Sequence, residues 1–178
     1  TNIEGDAAIS TADTLTLTGL TTFDGTGGAQ TVTATTQLAN NVSVTNTSGT
    51  VTFAGATTIG GTFATADSTT VVFDNTVTFS NTTTVGGGGA AATLQLDNTV
   101  TLAGAAAVNV SALGVLDVNT GWTVGAFTIT IAATGSMTIT GDLDLTGSTL
   151  TNNGTVDFDG TAAGQTVTLS ADDLNTFA

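Results

Sequence analysis

The chain contains no lysine, arginine, histidine, cysteine, proline or tyrosine. Each absence closes a route. Without Lys or Arg the chain cannot neutralise phosphates, which excludes nucleic-acid binding and attraction to anionic membranes. Without His, Cys, Lys or Tyr, most general bases and covalent nucleophiles are missing, so no enzyme is expected. A zinc site of nitrogen and sulfur ligands cannot be assembled. No disulfide can form, and cysteine therefore says nothing of the compartment. The apolar runs are far too short for a membrane span, so no membrane insertion is expected. No secretory leader is present, and the expectation is a mature or excised segment.

What remains is unusual in its own way. The 178 residues carry a net charge of −14, from Glu4 and a set of aspartates with no cation to offset them. A quarter of the residues are Thr and 23 are Gly. High charge with few aromatics can signal disorder. Here 40% of residues are hydrophobic and the mean hydropathy is +0.35, which argues for a packed fold.

The apolar residues are also ordered. Apolar-x-apolar pairs recur at Leu15/Leu17, Val42/Val44, Val51/Phe53, Val77/Phe79, Leu94/Leu96, Val100/Leu102, Val108/Val110, Met137/Ile139, Leu143/Leu145, Val156/Phe158 and Val167/Leu169. Period-2 alternation of this kind marks strands with one buried face. No stretch holds a 3.6-residue period, and Thr, Val and Phe favour strands. The chain reads as all-β, with no helix longer than a turn.

An internal repeat decides the arrangement. T-V-V-F-D-N-T-V-T-F-S-N at 70–81 aligns with T-L-Q-L-D-N-T-V-T-L-A-G at 93–104, half the positions being identical. Further copies follow at 115–126 and 136–147, so the successive offsets are 23, 22 and 21 residues. Each copy is an apolar pair, a short corner and a second apolar pair. A third short run lies between copies: Ile59 to Phe63, Val85, Val108/Val110 and Phe127/Ile129/Ile131. Three short strands per repeat make one coil of a three-faced parallel β-solenoid, or β-helix. First apolar pairs near residues 15, 42, 71, 94, 116, 137 and 156 give about seven coils of roughly 20–27 residues. The expected rod is on the order of 35 Å long, at about 4.8 Å per coil. Absent proline fits, since nearly every strand would be central and need its N–H. Three-residue corners such as Asp97-Asn98-Thr99 also suit hairpins, which keeps a β-sandwich or jelly roll as the alternative.

Residues 1–178 are therefore expected to form a single all-β repeat domain. Its core coils run from about 15 to 170, and segments 1–10 and 171–178 are candidates for pairing with a neighbouring subunit. A longer-range similarity joins F-D-G-T-G-G-A-Q-T-V-T at 23–33 to F-D-G-T-A-A-G-Q-T-V-T at 158–168, eight of eleven positions agreeing at an offset of 135. Two readings follow: two special coils, or one unit of a longer array.

Candidate sites are few. Asp142 and Asp144 alternate on one strand, Asp157 and Asp159 on another, and Asp172 and Asp173 follow. Outward carboxylates suit Ca²⁺, which takes several oxygen ligands, so Asp142, Asp144, Asp157 and Asp159 are the candidate metal residues. The plainer reading is a solvated acidic face. A glycosidase carboxylate pair is the third and least supported. Gly86-Gly87-Gly88-Gly89 lacks the Lys-Ser/Thr of a phosphate loop, Ala90 following instead, and reads as a loop or broad corner. Thr-x-Thr pairs at 50/52, 76/78, 99/101, 128/130, 138/140 and 166/168 would form flat hydroxyl ladders if they stacked on one face. Such ladders resemble ice-binding β-solenoids. Trp122 replaces Val77 and Val100 in the repeat and reads as core rather than a sugar-stacking platform.

F-D-G-T-x-x-x-Q-T-V-T, followed by Asp172-Asp173-Leu174-Asn175-Thr176-Phe177, resembles the Thr/Gly/Asn-rich repeats of large bacterial surface proteins. These are of the filamentous haemagglutinin and autotransporter-adhesin type. The run Gly49-Thr50-Val51-Thr52-Phe53-Ala54-Gly55 is similar in style. The resemblance implies a secreted β-solenoid, at the cell surface or outside the cell, with no catalytic residues to carry over. The function expected is a structural subunit of a filament, sheath or adhesin stalk. It would polymerise with itself head to tail through strand edges. The alternative is an ice-binding or carbohydrate-binding module whose partner is a surface glycan.

Overall fold

The computed structural model describes residues 1–25, 28–47, 49–104, 106–123, 125–159 and 164–169. Within them the chain winds as a three-faced parallel β-solenoid with no helix. The first coil holds β1 (Asn2–Ile3), β2 (Ala7–Ile9) and β3 (Leu15–Leu17), and the second β4 (Thr21–Phe23), β5 (Gln30–Val32) and β6 (Thr36–Leu38). The third holds β7 (Val42–Val44), β8 (Thr50–Phe53) and β9 (Thr57–Ile59), and the fourth β10 (Phe63–Thr65), β11 (Thr70–Phe73) and β12 (Val77–Phe79). The fifth holds β13 (Thr83–Val85), β14 (Ala92–Leu96) and β15 (Val100–Leu102), and the sixth β16 (Ala107–Val110), β17 (Gly114–Val118) and β18 (Trp122–Thr123). The seventh holds β19 (Thr128–Ile131), β20 (Ser136–Ile139) and β21 (Leu143–Asp144), and the eighth β22 (Thr149–Asn152), β23 (Thr155–Phe158) and β24 (Val167–Thr168).

Two faces are continuous sheets of eight strands: a first face from β1 to β22 and a second from β2 to β23. The third face is divided into a five-stranded sheet, β3 to β15, and a three-stranded sheet, β18 to β24. Every strand pairing in these sheets is parallel, which excludes the hairpins of a sandwich. Coils are joined residue over residue: Val51, Val71, Leu94, Leu116 and Met137 stack in one inward column of the second face.

The coil count and phase differ from the sequence expectation. There are eight coils, not seven, and first-face strands begin at 2, 21, 42, 63, 83, 107, 128 and 149, so a coil takes 19 to 24 residues. From Val71 onward the repeat was phased correctly, since Val71, Leu94, Leu116, Met137 and Val156 share a column. Upstream it was not. Val42 belongs to the first face and Leu15 to the third, while the true partner of Val71 is Val51. The physical reason is that strands on all three faces show the same alternation, and the interior is not purely apolar. Gln30, Thr36 and Thr57 are buried at inward positions and break the pattern. The threonines are satisfied locally: the Thr36 hydroxyl donates to the Ala34 carbonyl at 2.9 Å and the Thr57 hydroxyl to Gly55 at 3.0 Å. Segment 1–10, set outside the core coils, supplies β1 and β2, paired to β4 and β5. Segment 171–178 lies outside the described residues.

The inward residues form one continuous core. Its upper part is aromatic. Phe53 and Phe73 stack with centroids 4.7 Å apart, and Phe23, Phe63 and Phe79 pack around them at 5.1 to 5.7 Å. Below the fifth coil it is aliphatic, built on Leu116, Ile129, Ile131, Met137, Ile139, Leu143, Leu145 and Leu150, with Trp122 at 2% exposure. Each such side chain contributes about 1.5–3 kcal/mol on burial.

Candidate functional site

The four candidate metal residues do not share one place. Asp142 and Asp144 stand at the outer surface of the three-stranded sheet, Asp144 between Thr123 and Thr168 in register. Asp157 lies on the second face beneath Thr138, with Asp159 just beyond the end of β23. Among the described residues no group of three or more His, Cys, Asp or Glu side chains is placed to hold a metal ion. Asp172 and Asp173 lie outside the described residues.

The Asp142 and Asp144 side chains line a shallow groove of about 310 Å³. One wall is the column Thr123, Asp144, Thr168, and the other Gly121, Asp142, Thr166. Gly121 opens the groove, having no side chain to fill the column. Trp122 and Leu143 turn inward and are buried, so the indole offers no stacking platform. Each carboxylate already has backbone work. Asp142 Oδ1 accepts the Thr166 N–H at 2.7 Å, and Asp144 Oδ1 accepts the Thr146 N–H at 2.9 Å. The Thr146 hydroxyl, and then its N–H, hold the Asp144 carboxyl below the usual carboxylate range. These bonds fix corners of the seventh and eighth coils.

The glycine run does cradle an anion, and the anion is the chain's own. It forms the fifth coil's corner between β13 and β14. The Gly87 N–H donates to Asp67 Oδ1 at 2.7 Å and the Gly89 N–H to Asp67 Oδ2 at 3.0 Å. The Gly87 N–H contributes most to holding the Asp67 carboxyl below its ordinary value, with further help from the N–H groups of Gly89, Ala90 and Gly88. Successive N–H groups pointing into one concavity are an anion nest. Sequence reasoning missed Asp67 because the nest and its carboxylate lie one coil, 20 residues, apart.

Acids cluster on the second face. Asp97 and Asp159, at the ends of their strands, act on Asp117 there. Partial burial, then the Asp97 charge, pushes the Asp117 carboxyl up, and Asp159 adds to this against a hydrogen bond from Asn119. Asn119 Nδ2 also donates to Asp97 Oδ1 at 2.7 Å, and Gln95 Nε2 to both Asp97 oxygens at 2.9 and 3.0 Å. Amide donors stand in for the missing cations.

The two copies of the F-D-G-T repeat lie between different pairs of faces, and residues 26, 27 and 160–163 within them lie outside the described residues. Its first copy joins the first face to the second, β4 to β5, and its second copy joins the second face to the third, β23 to β24. Its glutamine makes one equivalent bond in both copies, to the carbonyl stacked on the motif's Phe, and a second bond that differs. Gln30 Nε2 donates to the carbonyl of Ile3, the residue stacked on Phe23, and to Asp24. Gln165 Nε2 donates to the carbonyl of Ile139, the residue stacked on Phe158, and to Gly141. An offset of 135 residues therefore crosses from one corner to the next and is not a whole number of coils.

The Thr-x-Thr pairs divide among the faces. Those at 128/130 lie on the first, 50/52 and 138/140 on the second, and 76/78, 99/101 and 166/168 on the third. The middle outward column of the third face reads Thr16, Gln37, Thr58, Thr78 and Thr101 in its upper sheet. Among the described residues no helix is long and apolar enough to cross a membrane. No known protein family, no curated protein and no solved structure matches this chain.

Proposed function

We propose that the chain is a structural unit of an extracellular filament, sheath or adhesin stalk, extended by stacking along the coil axis. The observation that carries this reading is the behaviour of the core at its two ends. Ile3, Ile9, Leu15 and Leu17 in the first coil, and Val156, Val167 and Leu169 in the eighth, remain only partly buried while packing on the core. Phe158 is 37% exposed. An inward column that reaches the end of the prism in this state is completed by another coil on the same axis. A neighbouring copy can supply it, since strand edges template further strands and a head-to-tail contact that does not close gives a filament. Electron microscopy of the purified protein tests this: fibres that lengthen along the coil axis support it, and particles no longer than one prism at high concentration oppose it.

A second reading rests on the third face. Its column of Thr16, Thr58, Thr78 and Thr101, interrupted by Gln37, is an uncharged, regular hydroxyl array suited to ice or a neutral glycan. Thermal hysteresis or a glycan-array signal abolished by Thr78→Val with Thr101→Val would favour it. Activity that survives both substitutions would remove the array as its source.

A further inference from the structure

The first face differs from the other two in charge. None of its eight strands carries an acidic residue, although the chain has fourteen acids. Thr22, Ser43, Ala64, Thr84, Asn109 and Thr130 stack in register down its outer surface. The second face carries Asp117 and Asp157 in its strands, and the third carries Asp144. The acids nearest the first face stand in the corners that leave it, and one of these, Asp67, is turned into its glycine nest.

Two further features border this face. Leu20, 58% exposed, stands immediately before β4 in the second coil. Leu113, 44% exposed, stands just after β16 and before β17 in the sixth, with a left-handed backbone at φ 61°. The left-handed backbone of Leu113 belongs to its corner turn, closed by the Gly114 N–H on the Ser111 carbonyl at 2.9 Å, and the turn leaves the leucine side chain exposed.

We propose that two copies of this chain pair side by side through the outer surface of the first face. A chain of net charge −14 with no cation of its own meets its like only where acids are absent. Contact along the whole length of the second or third face would set Asp117, Asp157 or Asp144 of the lower coils against a surface of the same sign, and the first face alone is free of strand acids through all eight coils. The small side chains of the first face let two sheets approach to ordinary packing distance, about 10 Å. The area is sufficient. Eight strands at about 4.8 Å, each about 16 Å wide with its flanking residues, give about 610 Å² per copy and about 1,200 Å² in all, at the lower end of specific interfaces. Pairing would also cover Leu20 and Leu113. This inference does not depend on axial stacking, since pairing widens the particle and stacking lengthens it.

The test is small-angle scattering with sedimentation over a wide concentration range at physiological salt. The wild-type chain is compared with Thr84→Asp, at the centre of the first face, and Thr52→Asp, at an equivalent uncharged position of the second. Both variants add one negative charge, so general repulsion is matched. The expected result is a wild-type cross-section that doubles with concentration, an association at least about tenfold weaker in Thr84→Asp because a carboxylate is buried unpaired, and Thr52→Asp unchanged. Circular dichroism checks that each variant folds, and Thr130→Asp replaces Thr84→Asp if the latter does not. A cross-section fixed at one prism across the range overturns the proposal, as does equal weakening by both variants or none by either. Growth in length at constant width overturns it while leaving the stacking reading intact.

Discussion

The upper five coils and the lower three solve the same problem differently. In the upper coils every described acid stands in a corner: Glu4, Asp6, Asp13, Asp24, Asp67, Asp74 and Asp97. In the lower coils Asp117, Asp144 and Asp157 stand within strands. The upper core is a phenylalanine cluster and the lower core aliphatic. The third face is one sheet above and a separate sheet below. The difference teaches where a solenoid without cations can hold charge. A corner offers N–H donors, as Asp67 finds in Gly87 and Gly89. A strand offers only its neighbours in the column, and like charges there repel.

The largest test of this contrast is in the core. Phe73 touches Phe53, Phe63 and Phe79. Phe73→Ala is expected to destabilise by about 3–5 kcal/mol, and Met137→Ala in the lower core by about 2–5 kcal/mol and less than Phe73→Ala. Denaturant unfolding measures both, and a larger loss for Met137→Ala would reverse the assigned ranking.

Next come corners that tolerate no side chain. A Cβ on Gly55 would run into the Ala34 carbonyl of the coil above, and one on Gly154 into the Gly135 carbonyl. Backbone cannot swing aside as a side chain does. Gly55→Ala and Gly154→Ala are each expected to cost about 1–3 kcal/mol, read as a fall in midpoint. A neutral result at either would show that its corner is loose.

A smaller effect separates corner acids from strand acids. Asp117→Asn removes a carboxylate raised by burial and by Asp97 and Asp159, and is expected to stabilise at neutral pH by about 0.2–1 kcal/mol. Asp67→Asn removes the charge its nest holds and is expected to destabilise. The same sign for both would end the distinction.

The pH dependence is the finest test. Asp67 and Asp144 have folded values below the ordinary 3.8, so their contribution is present above that value and lost as pH falls through the folded one. Asp117 has a folded value above 3.8, so the fold binds its proton first and stability rises as pH falls toward 3.8. Stability on acidification is therefore expected to rise slightly and then fall. Asp117→Asn should flatten the rise and leave the fall.

Much of the fold was legible in the alternation and in the repeat from Val71 onward, where the Asp-Asn-Thr corner recurs as Asp74-Asn75-Thr76 and Asp97-Asn98-Thr99. In each, the Asn oxygen accepts the following Thr N–H at 2.8 Å. Upstream, buried Gln30, Thr36 and Thr57 disguised inward positions as outward ones. Side-chain-to-carbonyl bonds make such residues tolerable inside, and composition cannot show them. The site was less legible. Asp142 and Asp144 border one groove, while Asp157 and Asp159 face elsewhere, because adjacent acid pairs in sequence fall on adjacent faces of the prism. The F-D-G-T repeat carries a glutamine in both copies, but its role was not legible there and shows only in the bonds of Gln30 to Ile3 and Gln165 to Ile139.

The central claim is that an eight-coil parallel prism extends along its axis by strand stacking. Cryo-electron microscopy or fibre diffraction of the assembled protein tests it most directly. The account predicts fibres with strands perpendicular to the axis, an axial spacing of about 4.8 Å, and an advance of about 38 Å per eight-coil unit. Particles that remain single prisms at every concentration, or fibres whose strands run along the axis, would contradict it.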